Sequence, residues 1–394
     1  MNQDNRKKLN IAIVCDPITD YVAGSFVSAL RFAEIFKERG HKVIFIAAKS
    51  PHNNGYKDYY KGIKAYRFSS ILLPKTEKQL YISFPTEAKI KKILIDEQID
   101  ILHNIIPTPS SITATKAAKT LGIKVVTHSH SQPENVFLHL PKIIPKDTLN
   151  KLYYKFMYWL YHQAEAIIYP TEFAKQFFPD LDKKIKAIVV SNGVDVARFK
   201  KTNTDEFFKK FNLDKNSKHI VFVGRFHPEK SIDTLIKATS EIVAKYPKAR
   251  VVLAGSGHQE EEMQKLAKDL GVDKYITFCG RVSDEELVLA HNTADIFVLP
   301  SLAELEGMVV LEAMACGKPI LIADAKDSAS TYFVKDNGYL FKAEDAHDLA
   351  EKALKMLKDE VLLKKMGERS FEQSREFDIN ISADKILNLY YEIL

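Results

Sequence analysis

One stretch, residues 296–324, restricts the fold of this chain more than any other. Ile296–Leu299 and Ile320–Ala323 are short apolar runs, and between them Met308–Cys316 predicts a helix that Gly317 ends. Short apolar runs joined through a helix are typical of buried parallel strands. The stretch therefore predicts a β–loop–α–β unit.

The predicted helix carries a carboxylate in apolar surroundings. Every neighbour of Glu312 from Met308 to Cys316 is apolar, so the helix should be buried and Glu312 should have a partner. The preceding loop adds Glu304 and Gly307, and a glycine there lets an anion approach the first helical amides. These groups suit a ligand with phosphates and hydroxyls, such as a nucleotide-sugar. The alternative is that Glu312 only caps a neighbouring element.

Glu304 and Glu312, eight positions apart and followed by Ala-Met-Ala-x-Gly-x-Pro, resemble a known signature. It is that of retaining glycosyltransferases of the two-domain GT-B fold, family 4-like or "glycosyl transferases group 1". The resemblance implies that Glu304 contacts the donor sugar and that Glu312 holds the ribose. It also implies that Gly307, Met308 and Val309 lie beside the donor.

The chain departs from the family pattern at two places. Glu306 stands where the family usually has an aromatic residue, and Ala-Lys-Asp-Ser-Ala-Ser at 325–330 replaces the commoner Gly-Gly-x-x-Glu. These departures leave open a competing interpretation, a non-catalytic protein of the same fold that binds a nucleotide-sugar or a membrane.

A second loop, residues 224–230, follows the apolar run His219–Val223 and precedes a predicted helix. Two cations at a helix entry, Arg225 and Lys230, are suited to neutralise a diphosphate. The pattern Gly-Arg-x-x-x-Glu-Lys resembles the family's diphosphate clamp, with Ser231 where glycine is usual. The resemblance implies catalytic roles for both cations and a donor contact at Gly224.

Two further donor contacts are implied by the resemblance alone. Gly280-Arg281-Val282 is similar to the loop that reads the nucleotide base, which implies a contact at Val282. In the first domain, the family usually has Gly-Gly beside the donor phosphate, and Gly24 keeps half of that pair. Because the loop around Gly24 has no Gly-x-Gly-x-x-Gly, a dinucleotide fingerprint is absent.

In the first domain, a polar cluster follows the predicted strand Lys124–Thr127. The cluster 127–135 begins Thr-His-Ser-His, and the carboxyl end of a strand is where doubly wound sheets bind ligands. His128 and His130 could form a metal pair, but no third ligand stands at a suitable spacing. The resemblance implies an active-site histidine near the sugar C6 hydroxyl, and we expect it to be His130.

Residues 142–163 are rich in aromatic residues and lysine. Leu149, Leu152, Phe156 and Trp159–Leu160 follow helical spacing, and three lysines lie off that stripe, at Lys146, Lys151 and Lys155. Such a helix can lie at a membrane interface and contact a lipid acceptor. The alternative is that the stripe packs into the core.

Charge is distributed unevenly along the chain. Residues 1–200 hold 30 Lys+Arg and 18 Asp+Glu, a net charge of +12, and the remainder carries −6. A basic first half favours an anionic membrane or acceptor, although it can also serve solubility alone. No apolar run approaches the roughly 20 residues of a transmembrane helix, and no convincing signal peptide is present. We expect a cytoplasmic protein, at most peripheral on the inner face of the cell membrane.

Together these patterns predict an α/β chain of the GT-B type, two doubly wound Rossmann-like domains with the donor in the cleft between them. The expected domains are residues 1–192 for the acceptor and 193–378 for the nucleotide-sugar, with 379–394 a helix crossing back to the first domain. The expected reaction is transfer of a hexose, with glucose and a UDP-sugar favoured, to a lipid such as diacylglycerol. Soluble acceptors are the alternative. No cofactor, metal or nucleic acid is expected, and Asp180-Leu181-Asp182 is interpreted as a surface turn.

Overall fold

The computed structural model describes residues 6–18, 24–51, 55–73, 80–130, 145–181 and 183–394. They form two compact units, and the chain passes from one to the other between Ser191 and Asn192 and again between Ile381 and Ser382. Residues 382–394 thus belong to the same unit as the N-terminal half of the chain.

The first unit is built on a parallel sheet. Its strands, with an adjoining hairpin β5–β6, are β1 (Asn10–Val14), β2 (Lys42–Ala48), β3 (Lys57–Tyr60), β4 (Ile63–Phe68), β5 (Ser70–Leu72), β6 (Tyr81–Ser83), β7 (Ile101–Asn104), β8 (Lys124–His128), β9 (Ala166–Tyr169) and β10 (Lys186–Val189). β5 and β6 form a separate hairpin. The other eight strands lie across the sheet in the order β10-β9-β8-β7-β1-β2-β4-β3, with β3 antiparallel to β4. The central strand β1 is buried from Ile11 to Val14, as expected for a strand with both faces covered.

The second unit repeats this plan with a parallel sheet of its own. Its strands are β11 (Lys218–Val223), β12 (Ala249–Ala254), β13 (Ile276–Gly280), β14 (Ile296–Leu299), β15 (Ala303–Glu304), β16 (Ile320–Asp324), β17 (Asp327–Ser328) and β18 (Gly338–Lys342). The main sheet has the order β13-β12-β11-β14-β16-β18, and β15 pairs with β17 outside it. β14 and β16, the two apolar runs of the stretch 296–324, pair with each other in this sheet.

Helices connect these strands and cover the sheets. In the first unit they are α1 (Gly24–Glu38), α2 (Glu87–Asp96), α3 (Pro109–Thr120), α4 (Lys146–Tyr161) and α5 (Glu172–Gln176). In the second unit they are α6 (Asp205–Lys210), α7 (Ile232–Lys245), α8 (Glu260–Asp269), α9 (Asp284–Thr293), α10 (Met308–Ala315), α11 (Ala346–Leu357) and α12 (Glu360–Ser374). The last helix, α13 (Ile379–Ile393), begins in the second unit and continues into the first.

The two segments in which the chain crosses between the units, near Asn192 and near Ile381, are hydrogen-bonded to each other within the second unit. The amide of Val194 donates to Phe377 O at 2.8 Å, and the amide of Ile379 donates to Val194 O at 3.0 Å. Gly193 has a φ of 73°, and a side-chain carbon there would lie 2.6 Å from the Cα of Ile379. A glycine is therefore required at the close approach of these two segments.

The alternative that the apolar stripe of residues 142–163 packs into the core is wrong for three of its five residues. If Leu152, Phe156 and Trp159 packed into the core, they would be buried, but they are 57%, 38% and 50% exposed. Leu160, the last residue of the stripe, is buried and shares the inward face of α4 with Tyr153, Met157 and Tyr161. The helix thus has apolar side chains on two faces, so helical spacing alone could not identify the buried one.

Two smaller observations concern the surface. Asp180 is exposed and accepts a hydrogen bond from Lys183 at 2.8 Å, and Asp182 lies outside the described residues. Among the helices of the described residues, none is long and apolar enough to cross a membrane.

Candidate active site

The loop at residues 224–230, here called the basic loop, follows the carboxyl end of β11. The amide of Gly224 donates to Ala254 O at 3.0 Å, which holds the start of the basic loop against the end of β12. A side chain at Gly255 would overlap the carbonyl of Gly224, so only glycine permits this approach. The basic loop is therefore fixed at the sheet edge where parallel α/β sheets bind ligands.

Ser231, where the resemblance leads one to expect glycine, has a left-handed backbone with φ 45° and ψ 44°. This conformation favours glycine and costs a serine some strain. The Ser231 hydroxyl lies 2.8 Å from the hydroxyl of Thr234, in the first turn of α7. The serine thus keeps the backbone geometry that a glycine would give.

The two cations of the basic loop have different surroundings. Lys230 Nζ lies 2.6 Å from Glu304 Oε1, and both side chains are nearly buried, at 15% and 13% exposed. The Arg225 guanidinium is 47% exposed and lies 3.6 Å from Glu229 Oε1. Lys230 and Glu304, predicted separately from two motifs, are therefore in direct contact, and Arg225 lies at the surface of the same loop.

Residues 303–307, here called the acidic loop, connect β14 to α10. Its first two residues form β15, and the amide of Leu302 just before it donates to the main-chain oxygen of Glu229 at 2.7 Å. Gly307 has a φ of 90°, and a side chain there would overlap the Ser330 hydroxyl. The acidic loop thus lies beside the basic loop and ends in a turn that requires glycine.

The first turn of α10, the helix that follows the acidic loop, has main-chain amides without an i−4 acceptor, and among them the Val310 amide donates to Gly307 O at 2.8 Å. The first N–H groups of an α-helix have no intrahelical acceptor, and Gly307 is the N-cap of α10. Met308 and Val309, in the first turn, are half-buried. An anion placed at this turn would meet main-chain donors and the positive end of the helix dipole.

Glu312, on the same helix, is 3% exposed and has the partner that the sequence required. Its Oε2 lies 3.3 Å from Nε2 of His291 on α9. His291 is fully buried between the rings of Phe199 and Phe297, at centroid distances of 5.9 and 5.4 Å. A contact of Glu312 with ribose stays a prediction, because a buried pair is also what a purely structural glutamate would form.

The two remaining donor-side predictions lie on other loops. Val282 is half-buried against the core of the second unit, two residues after Gly280, whose carbonyl accepts from the Gly255 amide at 2.9 Å. Gly24 begins α1 in the first unit, and no atom of the described residues lies within 4 Å of the position that a side-chain carbon would take. Packing against the described residues therefore does not require a glycine at position 24.

The carboxyl edge of the first sheet holds three neighbouring histidine rings. The His128 ring lies 5.6 Å from His103 and 4.1 Å from His130 between centroids, and the hydroxyl of Tyr390 lies 2.6 Å from His103 Nδ1. Burial lowers the pKa of His103 and of His130 to about 3 and that of His128 well below its usual value. All three are neutral at pH 7, and His130 is the most accessible.

Helix α4 presents an apolar stripe with cations beside it. Leu152, Phe156 and Trp159 project outward, and the rings of the last two stack at 6.0 Å. Lys151 and Lys155 are exposed on the same part of the helix, and the side chain of Lys146 lies outside the described residues.

The described residues contain no group of three His, Cys, Asp or Glu side chains placed to hold a metal ion. The second unit instead brings cations, helix amides and paired carboxylates to one edge of its sheet. Such an arrangement can bind a phosphate-bearing ligand and stabilise charge that develops on it.

Two family models together match most of the chain. The model of "Glycosyltransferase Family 4" matches residues 22–198, and that of "Glycosyl transferases group 1" matches residues 203–373. The chain belongs to these glycosyltransferases. It is therefore an enzyme that transfers hexosyl groups, and the non-catalytic interpretation falls.

Individual relatives differ in what they act on. N-acetyl-alpha-D-glucosaminyl L-malate synthase of Bacillus anthracis is 27% identical over 98% of both chains. Alpha-monoglucosyldiacylglycerol synthase of Streptococcus pneumoniae is 24% identical over 89% of this chain and 78% of that protein. The structure of Anabaena HepE in complex with UDP and glucose has a TM-score of 0.77 at 17% identity, covering 98% of this chain and 100% of that one. These likenesses confirm the GT-B fold with two Rossmann-like domains.

Three residues of this glycosyltransferase were not found from its sequence. His291 and Asn192 contact Glu312 and Glu306, but they lie far from them in sequence, and no local pattern marks such a pair. His103 is the second-last residue of β7, which pairs with the strand that carries His128, so polar residues near the ends of neighbouring parallel strands were the available signal.

Proposed function

We propose that this glycosyltransferase moves a hexose, in our expectation glucose, from a UDP-sugar to a diacylglycerol-type lipid at a membrane surface. The observation that carries the lipid acceptor is the exposed stripe of α4 with its lysines. A UDP donor is supported by HepE, whose structure contains UDP, and a lipid acceptor by the name of the pneumococcal relative.

The donor diphosphate would lie between the basic loop and the start of α10. Arg225 and Lys230 would neutralise the charge that grows on the leaving UDP, together with the amides at Gly307 and Met308. Glu304, fixed by Lys230 at 2.6 Å, would face the donor sugar. Gly24, Gly224, Val282 and Val309 would complete the contacts, and Glu312 would hold the ribose.

We expect retention of the anomeric configuration, with an oxygen of the leaving phosphate accepting the proton of the acceptor hydroxyl. His130 would take part as a neutral hydrogen-bonding group near the sugar C6 hydroxyl, since burial holds its pKa at about 3. A neutral imidazole can donate from one nitrogen and accept at the other. No metal ion is needed in this proposal, because cations of the chain and helix amides offset the phosphate charge.

The membrane contact would be made by α4. Three large apolar side chains outside the core, at 152, 156 and 159, would enter the interface, with Lys151 and Lys155 beside lipid headgroups. Each lysine near an anionic surface contributes about 1 kcal/mol. The enzyme would then be peripheral on the inner face of the cell membrane, with its catalytic units in the cytoplasm.

A donor screen scored by nucleoside diphosphate release tests the proposal. UDP-, GDP- and ADP-hexoses are each offered with diacylglycerol vesicles, phosphatidylinositol vesicles or soluble sugars, with and without EDTA. We expect UDP release with diacylglycerol that EDTA leaves unchanged. Release only with soluble acceptors would contradict the lipid acceptor, and loss of turnover in EDTA would contradict the metal-free mechanism.

A soluble acceptor is the second candidate. The Bacillus anthracis relative, at 27% identity over 98% of both chains, carries L-malate in its name. L-malate and a UDP-N-acetylhexosamine therefore belong in the same screen. Robust transfer to malate by a protein that does not bind vesicles would favour this candidate.

A further inference from the structure

Glu306 is a buried carboxylate inside the acidic loop. Its side chain is 3% exposed, and its Oε2 accepts two hydrogen bonds from Asn192, one from the main-chain N–H at 3.0 Å and one from Nδ2 at 2.7 Å. A buried carboxylate is expensive unless donors face it, and hydrogen bonds to a charged acceptor are among the stronger ones. The contact joins two segments 114 positions apart in sequence.

Asn192 is a firm anchor for this carboxylate. It is the first residue of the second unit and is itself 5% exposed. The next residues are held by the close approach of Gly193 to Ile379 and by the hydrogen bond from the Val194 amide to Phe377 O. The two donors that face Glu306, one main-chain and one side-chain, therefore come from a residue whose backbone is held by the residues that follow it.

The acidic loop is also held through its main chain. Ser330, fully buried, donates from its hydroxyl to the carbonyl of Glu306 at 3.0 Å, and the same hydroxyl closes over Gly307. Glu306 is thus fixed by its side chain on one side and by its main chain on the other. Glu304, two residues earlier, and the amide of Met308, two residues later, have little freedom to move independently of it.

We propose that Glu306 is a positioning residue of the donor site. Its carboxylate links the acidic loop to the segment 192–194, so that donor affinity depends on this pair and donor binding in turn stabilises the segment. Such coupling is reciprocal, because two linked sites affect each other by the same factor. The inference rests on the proposed function, since that is where Glu304 and the amides of α10 are assigned to the donor.

Reversing the polarity of the pair provides the test. Asn192→Asp sets two carboxylates against each other and should raise the Kd for UDP and the KM for donor about ten-fold or more. Adding Glu306→Gln supplies an amide that can donate to the new carboxylate and still accept from the main-chain N–H. The double variant should return both constants to within about three-fold of wild type.

Several readouts separate positioning from simple structural support. UDP should slow hydrogen exchange at residues 192–194 in the wild-type protein and less so in Asn192→Asp. If Asn192→Asp does not fold, Asn192→Ala, which keeps the main-chain donor, should still raise the Kd for UDP several-fold. Glu360→Gln, a side chain 80% exposed in the same unit, is the matched control and should change none of these values.

The outcomes distinguish this inference from the proposed function. A wild-type protein that neither binds UDP nor releases it from a donor would overturn the proposed function. A wild-type protein that does both, with variants that lower Tm but leave Kd and KM unchanged, would overturn the positioning role alone.

Discussion

The carboxyl edges of the two sheets bury different polar groups. In the second unit they include an ion pair, Lys230 with Glu304, and the carboxylate of Glu306, which accepts from Asn192. In the first unit they include the histidines, which stay neutral at pH 7 because burial lowers the pKa of His103 and His130 to about 3, and the carboxyl of Asp16, whose pKa burial raises. Cations and helix amides suit a ligand that brings negative charge, whereas neutral histidines suit an acceptor without charge. The difference supports the proposal that the edge of the second unit binds the donor phosphates.

The largest effect should come from removing a cation of the basic loop. Lys230→Ala should lower kcat by roughly 10²-fold or more, because the leaving diphosphate loses a cation in a nearly buried position. Arg225→Ala should also lower turnover, by about 10²-fold. Initial rates of UDP release measure both, and Lys237→Ala, an exposed lysine paired with Asp233, is the control. Unchanged turnover in a folded Lys230→Ala protein would contradict the clamp.

Acid should lower the stability of the folded protein through the buried histidines of the first unit. The histidines stay neutral in the folded protein while their unfolded pKa is about 6.5, so the unfolded state binds more protons below that pH. Stability is therefore full above about pH 6.5 and falls as the pH drops towards 3. Relative to pH 7, each histidine that stays neutral should lower the free energy of unfolding at pH 5 by on the order of 2 kcal/mol. Urea titrations at pH 7 and pH 5 measure the loss.

A variant pair identifies the source of that acid sensitivity. His128→Phe removes one buried titrating ring while keeping an aromatic surface beside Phe32 and should flatten the dependence on pH. His347→Gln changes a histidine 67% exposed, whose pKa Glu241 raises, and should leave the loss at pH 5 nearly intact. An equally steep loss in His128→Phe would exclude His128 as a source of the acid sensitivity.

The sequence predicted the strands and helices around the candidate site and several of its residues. It could not predict their contacts, because these depend on long-range packing. Apolar runs bounded by proline or glycine identified β14, α10 and β16, because buried parallel strands and buried helices leave continuous hydrophobic stretches. Residue type and position also indicated Lys230 and Glu304 as site residues, although not their contact. The partners His291 and Asn192 depend on long-range packing, and the buried face of α4 depends on which of two apolar faces meets the sheet.

Glu312 sharpens the comparison further, with a smaller effect. If Glu312 holds the ribose, Glu312→Gln should raise the donor KM about ten-fold, because one charged acceptor is lost while the shape is kept. If it only pairs with His291, the same change should lower Tm and leave donor affinity alone. Donor KM and Tm measured on one preparation decide between them.

The smallest effects are expected on α4. Lys151→Ala and Lys155→Ala should each weaken binding to anionic vesicles by about five-fold at low salt, since each lysine contributes about 1 kcal/mol near the surface. The loss should shrink as salt rises, because exposed charges are screened. Co-sedimentation measures this, with Lys92→Ala, a lysine side chain 76% exposed on α2, as the control. Equal losses for Lys92→Ala would show that net charge alone matters.

The assignment of donor chemistry to the second unit and membrane contact to α4 is tested most directly by one rate measurement. Wild type and the Leu152→Ser/Phe156→Ser/Trp159→Ser variant are compared for UDP release with diacylglycerol in anionic vesicles and with a short-chain diacylglycerol dispersed as monomer. We expect the variant to lose at least ten-fold of its rate on vesicles and to keep its rate on the monomer, because these side chains lie outside the core. Equal rates on vesicles, or a parallel loss on both forms, would contradict the account.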